Sequence, residues 1–286
     1  MEVKGLAVVG AGTMGSGIAQ VAASAGLNVV LRDVEQRSLD RARQTITAGA
    51  RRMLQKEQAR DVDSRLDEIA GRIRFVTGWD EVGGADFVVE AVNEDAGLKE
   101  EVFRRLDKIA GKGVVLATNT SSICVTRLAA CTGRPERVVG MHFMNPVPLM
   151  PLVEVVRALQ TSEETCAATR GLATRLGKTP VEVNDSPGFV SNRVLLPMLN
   201  EAIFALHEGV ATREAIDAVM KLGMNHPMGP LQLADLIGLD VCLDILKVLH
   251  GGFGDPKYRP CPLLVKMVAA GQLGKKSGRG FYNYTE

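Results

Sequence analysis

Short apolar segments alternate with longer amphipathic ones from the N-terminus as far as Asn184. Most of the short segments are continuous runs of Val, Ala, Leu and Ile, which is typical of parallel strands covered by helices on both faces. Six segments are predicted to be strands, and two more, which follow a connection containing three prolines, are predicted to extend the same sheet. The eight are Val3–Val9, Asn28–Arg32, Arg72–Phe75, Asp86–Ala91, Gly113–Thr118, Val138–His142, Leu152–Arg157 and Thr179–Asn184.

Helical patterns occupy the intervals between these strands. They lie at Gly15–Ala25, Leu98–Ala110, Ile123–Ala130 and Ser162–Leu176. The long charged connection Glu35–Gly71 is predicted to hold two further helices, because structureless connections of that length are uncommon. Strands and helices in alternation predict an α/β fold with a doubly wound sheet.

A dense turn signal, Asn184-Asp185-Ser186-Pro187-Gly188, ends this alternation. It predicts a helix start, with Ser186 as the N-cap and Pro187 in the first helical position. Beyond it the apolar period is helical and no strand is evident. The predicted helices are Phe189–His207, Arg213–Leu222, Gly229–Leu249 and Leu263–Ala270. We therefore expect an α/β domain over residues 1–184 and a smaller all-α domain over residues 185–286.

The helices of the second domain carry Leu, Ile, Val and Met on more than one face. A bundle of only about 100 residues has difficulty burying so much apolar surface, which predicts a partner surface and most simply a homodimer.

Composition narrows the classes of function. The formal net charge is +1 without long runs of one sign, which argues against nucleic-acid binding. The five cysteines are scattered, with neither a C-x-x-C pair nor a zinc-like spacing of His and Cys. The N-terminus does not resemble a signal peptide, and no apolar stretch approaches the ~18–20 residues that span a bilayer. We expect a cytoplasmic protein without metal, nucleic-acid or membrane partners.

The segment Gly10-Ala11-Gly12-Thr13-Met14-Gly15 directly follows the first predicted strand and opens the first predicted helix. At this position the spacing is the dinucleotide-binding fingerprint of Rossmann-type domains, with glycines for a tight turn, for approach of a pyrophosphate and for helix–strand packing. Asp33 ends the next strand, where its carboxylate accepts hydrogen bonds from ribose hydroxyls and repels a 2′-phosphate. The sequence therefore predicts NAD rather than NADP, although the neighbouring Arg32 is a side chain suited to pairing with phosphate.

One of the four histidines, His142, lies at the C-terminal end of a predicted strand, where ligands bind in open α/β sheets. An alcohol that gives hydride to a nicotinamide also loses a proton, and imidazole is the natural base near neutral pH. Glu154 lies within the apolar segment Leu152–Val156, where a carboxylate is costly to bury unless paired. Pairing with His142 would fix the imidazole tautomer and stabilise the imidazolium. The alternative is that Glu154 faces solvent from an edge strand.

The polar segment Asn119-Thr120-Ser121-Ser122 follows another predicted strand at the same edge of the sheet. Its small side chains are suited to contacting a nicotinamide or a substrate oxygen. They are equally suited to capping the helix predicted at Ile123–Ala130, and the sequence leaves both interpretations open.

These segments together resemble the 3-hydroxyacyl-CoA dehydrogenase family, and most closely its short 3-hydroxybutyryl-CoA dehydrogenases, over essentially the whole chain. Besides the segments above, the resemblance rests on the strings Gly140–Pro148, Asp185–Arg193, Met228–Pro230 and Gly274–Tyr282. It implies an oxidoreductase that interconverts (S)-3-hydroxyacyl-CoA, in particular 3-hydroxybutyryl-CoA, and 3-oxoacyl-CoA by hydride transfer to NAD.

The resemblance also implies roles for single residues. His142 is implied as the general base paired with Glu154, and Ser121 and Asn192 as holders of the substrate's C3 oxygen or of the nicotinamide end of the site. The residues implied to contact NAD are Glu94, Lys99, Ser121, Asn145 and Lys276. Arg52 and Lys56 match the family's CoA-phosphate positions loosely and otherwise belong to a solvated helix face. The helical domain is implied to form the homodimer and to close over the substrate cleft.

Two other functions are compatible with the sequence. A dehydrogenase of a free 3-hydroxy acid, such as L-gulonate, would keep the same fold and the same His–Glu pair. A non-catalytic NAD-binding protein is the third possibility, and the complete set of His142, Glu154 and Asn192 argues against it.

Overall fold

The computed structural model describes residues Val3–Thr285, which divide into two compact units, one ending at Asp185 and the other beginning at Ser186. Eight strands form a single sheet in the first unit. They are β1 (Gly5–Val9), β2 (Asn28–Arg32), β3 (Ile73–Val76), β4 (Phe87–Glu90), β5 (Val115–Thr118), β6 (Val138–Phe143), β7 (Leu152–Arg157) and β8 (Thr179–Asn184). Every predicted strand is present, with differences of one or two residues at some ends.

The strands lie in the order β3-β2-β1-β4-β5-β6-β7-β8. All neighbouring pairs are parallel except β6 and β7, which are antiparallel. Because strands β1 to β6 all run in the same direction, their carboxyl ends meet at one edge of the sheet. That edge is where ligands bind in doubly wound sheets.

Six helices connect these strands. They are α1 (Thr13–Ser24), α2 (Gln36–Lys56), α3 (Val62–Gly71), α4 (Ala96–Ile109), α5 (Val125–Ala129) and α6 (Glu163–Arg175). Helices α2 and α3 confirm the two helices predicted for the charged connection. The main core buries small and branched side chains of α1, such as Ile18 and Ala22, with Leu6 and Val8 of β1. This close packing holds the segment between β1 and α1 directly at the ligand-binding edge.

The second unit is helical. Its helices are α7 (Ser191–His207), α8 (Arg213–Gly223), α9 (Pro230–Ile237), α10 (Leu239–Phe253) and α11 (Pro262–Ala269). Between Ser186 and Thr285 there is no strand, only isolated bridges among Gly274, Arg279 and Asn283. No helix in the described chain is both long enough and apolar enough to cross a membrane.

Two predictions about the helical unit were wrong. The pattern at Gly229–Leu249 predicted one helix, but α9 and α10 are separate, because Gly238 has φ 105° and ψ 125°, outside the helical region. Ser186 is not an N-cap: α7 begins at Ser191, and the Ser186 hydroxyl accepts a hydrogen bond from Arg193. A turn with positive φ at Gly188 and Phe189 separates the proline from the helix.

Candidate active site

The glycine-rich segment after β1 uses each of its three glycines differently. Gly10 has φ 109°, and a Cβ there would lie 2.5 Å from the Ala91 carbonyl oxygen. A Cβ on Gly15 would collide with the Gly10 carbonyl oxygen. Gly12 is exposed, and a Cβ there would meet no described atom within 4 Å. The first and third glycines therefore allow the turn and the packing of α1, whereas at Gly12 the missing side chain leaves space for a ligand to approach the backbone.

Asp33 joins the end of β2 to this segment. Its Oδ2 accepts a hydrogen bond from the Ala11 N–H at 2.8 Å, and its Oδ1 accepts one from the Glu35 N–H at 3.1 Å. The exposed Thr13 and half-buried Met14 begin α1, whose first turn holds no acidic residue. A helix start with unpaired N–H groups favours anions, so these residues fit the pyrophosphate and ribose of a dinucleotide.

His142 and Glu154 form a buried hydrogen bond at the end of β6. They lie directly opposite each other in the antiparallel pair of β6 and β7. His142 Nδ1 lies 2.8 Å from Glu154 Oε2, and the two residues are 7% and 2% exposed. The solvent-facing alternative for Glu154 is thus excluded. A carboxylate on Nδ1 keeps the proton on that nitrogen, which places the basic lone pair on Nε2.

A buried ion pair lies at the ends of β4 and β5. Glu90 is 0% exposed and accepts hydrogen bonds from Lys99 Nζ at 2.6 Å, from Thr118 Oγ1 at 2.7 Å and from the Val92 N–H at 2.7 Å. Burial raises the pKa of the Glu90 carboxyl, and the Lys99 ammonium opposes that effect. Lys99, 1% exposed, also donates to the Val92 carbonyl and lies 3.4 Å from Glu94 Oε2.

Glu94 organises the polar segment that follows β5. Its Oε1 accepts from Thr120 Oγ1 at 2.5 Å, from the Ser121 N–H at 2.9 Å and from the Ser122 N–H at 3.1 Å. Burial opposes ionisation here, but the Lys99 ammonium and these donors outweigh it, so the pKa of Glu94 lies below its ordinary value. We refer to Glu90, Lys99 and Glu94 as the carboxylate cluster.

The capping interpretation of the segment Asn119–Ser122 is only partly confirmed. The Asn119 Oδ1 accepts from the Phe143 N–H at 3.0 Å and so ties β5 to the end of β6. Thr120 Oγ1 accepts from the Ile123 N–H in the turn before α5. The first turn of α5 is capped from farther along the chain, because Asp185 Oδ2 accepts from the Thr126 N–H at 2.8 Å.

The remaining predicted residues are distributed over both units. Asn145 is exposed two residues beyond β6, and Arg52 and Lys56 are exposed on α2. Asn192 lies in the first turn of α7, in the second unit. Lys276 is also in the second unit, where its Nζ lies 2.6 Å from Asp240 Oδ2.

The ligand-binding edge of the first unit thus holds three groups of polar residues in spatial order. The glycine segment and Asp33 lie at β1 and β2, the carboxylate cluster with Ser121 lies at β4 and β5, and His142 with Glu154 lies at β6 and β7. Within residues 3–285, no three His, Cys, Asp or Glu side chains are grouped to hold a metal ion.

Sequence reasoning missed Glu90 and Thr118, which donates a hydrogen bond to it, whereas Thr120 lies within the polar segment that the sequence had indicated. The signal for Glu90 was present, because it ends the apolar segment Phe87–Glu90 just as Glu154 lies within an apolar strand. A buried strand that contains one carboxylate requires a partner for it. No comparable pattern marks Thr118.

Comparison with known proteins shows that each unit matches one domain of the same enzyme family. Residues 5–186 match the 3-hydroxyacyl-CoA dehydrogenase NAD binding domain, and residues 188–284 match the 3-hydroxyacyl-CoA dehydrogenase C-terminal domain. The chain is 57% identical to a probable 3-hydroxybutyryl-CoA dehydrogenase of Bacillus subtilis, over 100% of this chain and 99% of the relative. It is 42% identical to the human mitochondrial hydroxyacyl-coenzyme A dehydrogenase, over 99% and 91% of the two chains.

A solved structure of the same family is similar over the whole chain. The crystal structure of (S)-3-hydroxybutyryl-CoA dehydrogenase from Ralstonia eutropha is similar over 100% of both chains, with a TM-score of 0.96 and 48% sequence identity.

Proposed function

Because this chain belongs to the 3-hydroxyacyl-CoA dehydrogenase family, we propose that it interconverts (S)-3-hydroxybutyryl-CoA and acetoacetyl-CoA with NAD. The enzyme is an NAD-dependent oxidoreductase, and its substrate is an acyl-CoA. The buried hydrogen bond between His142 and Glu154 is the observation that carries the proposed chemistry.

His142 is the proposed general base for oxidation of the alcohol. Its Nε2 takes the proton of the C3 hydroxyl while the C3–H bond breaks and the C3–O bond becomes a carbonyl. The imidazolium that forms is stabilised by the Glu154 carboxylate on Nδ1. In the reverse direction the same nitrogen returns the proton to the alkoxide oxygen, so the net change is one hydride and one proton in each direction.

NAD, when bound, accepts or returns the hydride. The glycine segment Gly10–Gly15 would hold its pyrophosphate, and Asp33 its adenosine ribose. The Arg32 guanidinium, a group suited to pairing with a 2′-phosphate, lies over the Trp79 ring at 4.0 Å, and its Nε donates to the Thr77 carbonyl. Because both contacts hold the arginine side chain within the fold, they support binding of NAD rather than NADP.

Other residues are proposed from the family resemblance. We propose that Ser121 and Asn192 hold the C3 oxygen or the nicotinamide end, and that Glu94, Lys99, Asn145 and Lys276 serve the NAD site. The ammonium group of Lys99 is enclosed by Glu90 and Glu94, so we propose that it serves the cofactor through Glu94. Arg52 and Lys56 are exposed, as a contact with CoA phosphates requires.

We also propose that the protein is a cytoplasmic homodimer that associates through its helical unit. All five cysteines are free thiols, which suits a reducing compartment. Apolar side chains exposed on the helical unit support association, among them Val194, Leu222 and Met224.

The function is tested by comparing substrates with the purified protein. We expect rapid oxidation of NADH, followed at its absorbance maximum, with acetoacetyl-CoA, and little reduction of NAD with free hydroxy acids such as L-gulonate. A series of 3-oxoacyl-CoA substrates of increasing chain length then defines the acyl preference.

Two results would change the assignment. Faster turnover of a free hydroxy acid than of any acyl-CoA would replace the proposed substrate and keep the dyad. NADH binding without turnover of any of these compounds would refute an enzymatic function.

A further inference from the structure

The carboxylate cluster holds more charged groups than binding a ribose or a carboxamide requires. The side chains of Glu90 and Lys99 are fully buried and cannot contact a ligand directly. The side chain of Glu94 is 38% exposed and can. A buried ion pair seldom adds stability over well-packed apolar side chains of the same volume. The pair therefore requires an explanation beyond stability of the fold.

The contacts define the charge of each member. The Glu90 oxygens accept from an ammonium, a hydroxyl and a backbone N–H, which are the partners of a carboxylate. The Lys99 ammonium faces two carboxylates and a carbonyl, and the Glu94 oxygen Oε1 accepts from hydroxyl and N–H groups. With two carboxylates and one ammonium, the cluster carries one net negative charge.

The order of the strands places this charge between the two ends of the proposed cofactor site. The glycine segment follows β1, His142 lies in the last part of β6, and the cluster lies at β4 and β5 between them. A dinucleotide with its pyrophosphate at Gly10–Gly15 and its reactive ring near His142 must pass the ends of β4 and β5. The cluster thus lies beside that path, between the glycine segment and His142.

We propose that the carboxylate cluster sets the relative affinity of the enzyme for oxidised and reduced cofactor, a proposal that rests on the function proposed above. The oxidised nicotinamide ring carries a positive charge and the reduced ring carries none, so a net negative charge stabilises only the oxidised form. Lys99 lies between the two carboxylates, so Glu90 cancels the charge of Lys99 and Glu94 supplies the net negative charge.

Three variants separate charge from packing. Glu90→Gln removes one negative charge at a buried position, and Glu94→Gln removes one at a partly exposed position. Each leaves the cluster neutral. The double variant Glu90→Gln/Lys99→Met removes one charge of each sign and restores a single negative charge. Dissociation constants for NADH are measured from its fluorescence on binding, and those for NAD by displacement of NADH.

We expect both single variants to raise the ratio of the dissociation constants, that for NAD divided by that for NADH, by about three- to tenfold. The double variant is expected to keep the ratio of the wild type within about twofold. A ratio that follows net charge in this way is not produced by loosened packing, which weakens both cofactors together.

The proposal is overturned if the ratio in both single variants stays at the wild-type value, or if the double variant changes it as much as they do. If Glu90→Gln does not fold, the contrast between Glu94→Gln and the double variant decides the same question. Turnover of acetoacetyl-CoA by the wild type is measured separately. Its absence would refute the proposed function, whereas a flat ratio in an active enzyme would refute only the role of the cluster.

Discussion

The two ring nitrogens of His142 have different tasks in the proposed reaction. Nδ1 is held by Glu154, which lies opposite it on the antiparallel strand, and Nε2 carries the lone pair that takes the substrate proton. Because the two residues are fixed by strand register, the ring orientation does not depend on a mobile loop. The antiparallel strand β7 is what makes this possible, since it returns a carboxylate to the edge where β6 ends.

Replacing His142 with glutamine removes the group that accepts the proton in oxidation and returns it in reduction, and keeps a polar side chain of similar size. We expect His142→Gln to lower kcat for acetoacetyl-CoA reduction by about 10²–10⁴-fold, the usual contribution of a general acid or base. The dissociation constant for NADH should change by less than about twofold, because the loss concerns the proton and not the cofactor. Steady-state kinetics and NADH fluorescence measure the two quantities.

The matched control is His207→Gln, at an exposed position in the last turn of α7. It should retain the activity of the wild type. Turnover of His142→Gln at the rate of the control would show that another group transfers the proton.

Gly238 decides where α9 ends and α10 begins. Its φ of 105° and ψ of 125° are suited to glycine alone, and a Cβ there would lie 3.0 Å from Asp240 Oδ1. We expect Gly238→Ala to lower the free energy of unfolding by ~1–3 kcal/mol, the usual cost of a residue held in a disfavoured backbone region. Urea unfolding followed by circular dichroism measures the effect.

Gly251 provides the comparison for this variant. It is an exposed glycine inside α10, and a Cβ there would meet no described atom within 4 Å. Gly251→Ala should leave stability unchanged or raise it by up to ~1 kcal/mol, because alanine is the better helix former. Equal effects of the two substitutions would contradict the strained geometry at Gly238.

A network of surface ion pairs joins β7, α6 and β8. Arg157 and Arg170 each contact both Glu163 and Glu182. Hydrogen bonds from Arg170 and Arg157 lower the pKa of Glu163. A carboxyl whose pKa is lowered by folding stabilises the fold above its ordinary pKa, and that stabilisation disappears as the pH falls through the lowered value.

We therefore expect Glu163→Gln to unfold at a lower temperature than the wild type at pH 7, by about 1–3 °C, and the difference to vanish in strong acid. High salt should reduce the difference at pH 7, because exposed pairs are screened. Differential scanning calorimetry measures both effects, with Glu68→Gln, an exposed site on α3 outside the network, as the control. A difference that persists in strong acid would show that the ion pairs are not its cause.

For the protein as a whole, self-association is the prediction that follows from the helical unit. Leu222 at the end of α8 is 86% exposed, and Val219 and Met224 beside it are also exposed. We expect light scattering to give twice the mass of one chain, and Leu222→Glu to weaken the association. Leu159→Glu, at an 85% exposed position in the first unit, should leave it intact. A monomeric wild type would refute the proposed dimer.

Sequence reasoning correctly predicted the parts of the fold that depend on the pattern of apolar and polar residues close together in the chain. Continuous apolar runs mark strands that are buried on both faces, and their alternation with helices requires a doubly wound sheet. The glycine spacing, Asp33, and a carboxylate within the apolar strand β7 each have a physical meaning that depends only on neighbours in the chain. The pairing of Glu154 with His142 followed from the cost of burying an unpaired charge.

Contacts between residues that are distant in the chain were decided only by the tertiary structure. Asp185 caps α5 across 59 residues, and Glu94 binds the segment after β5 across 27, because the order of strands brings their ends together. The break at Gly238 and the late start of α7 depend on backbone angles that the surrounding packing selects, whereas the apolar period is the same on both sides. Periodicity reports which face of an element is buried, but not which other element covers it.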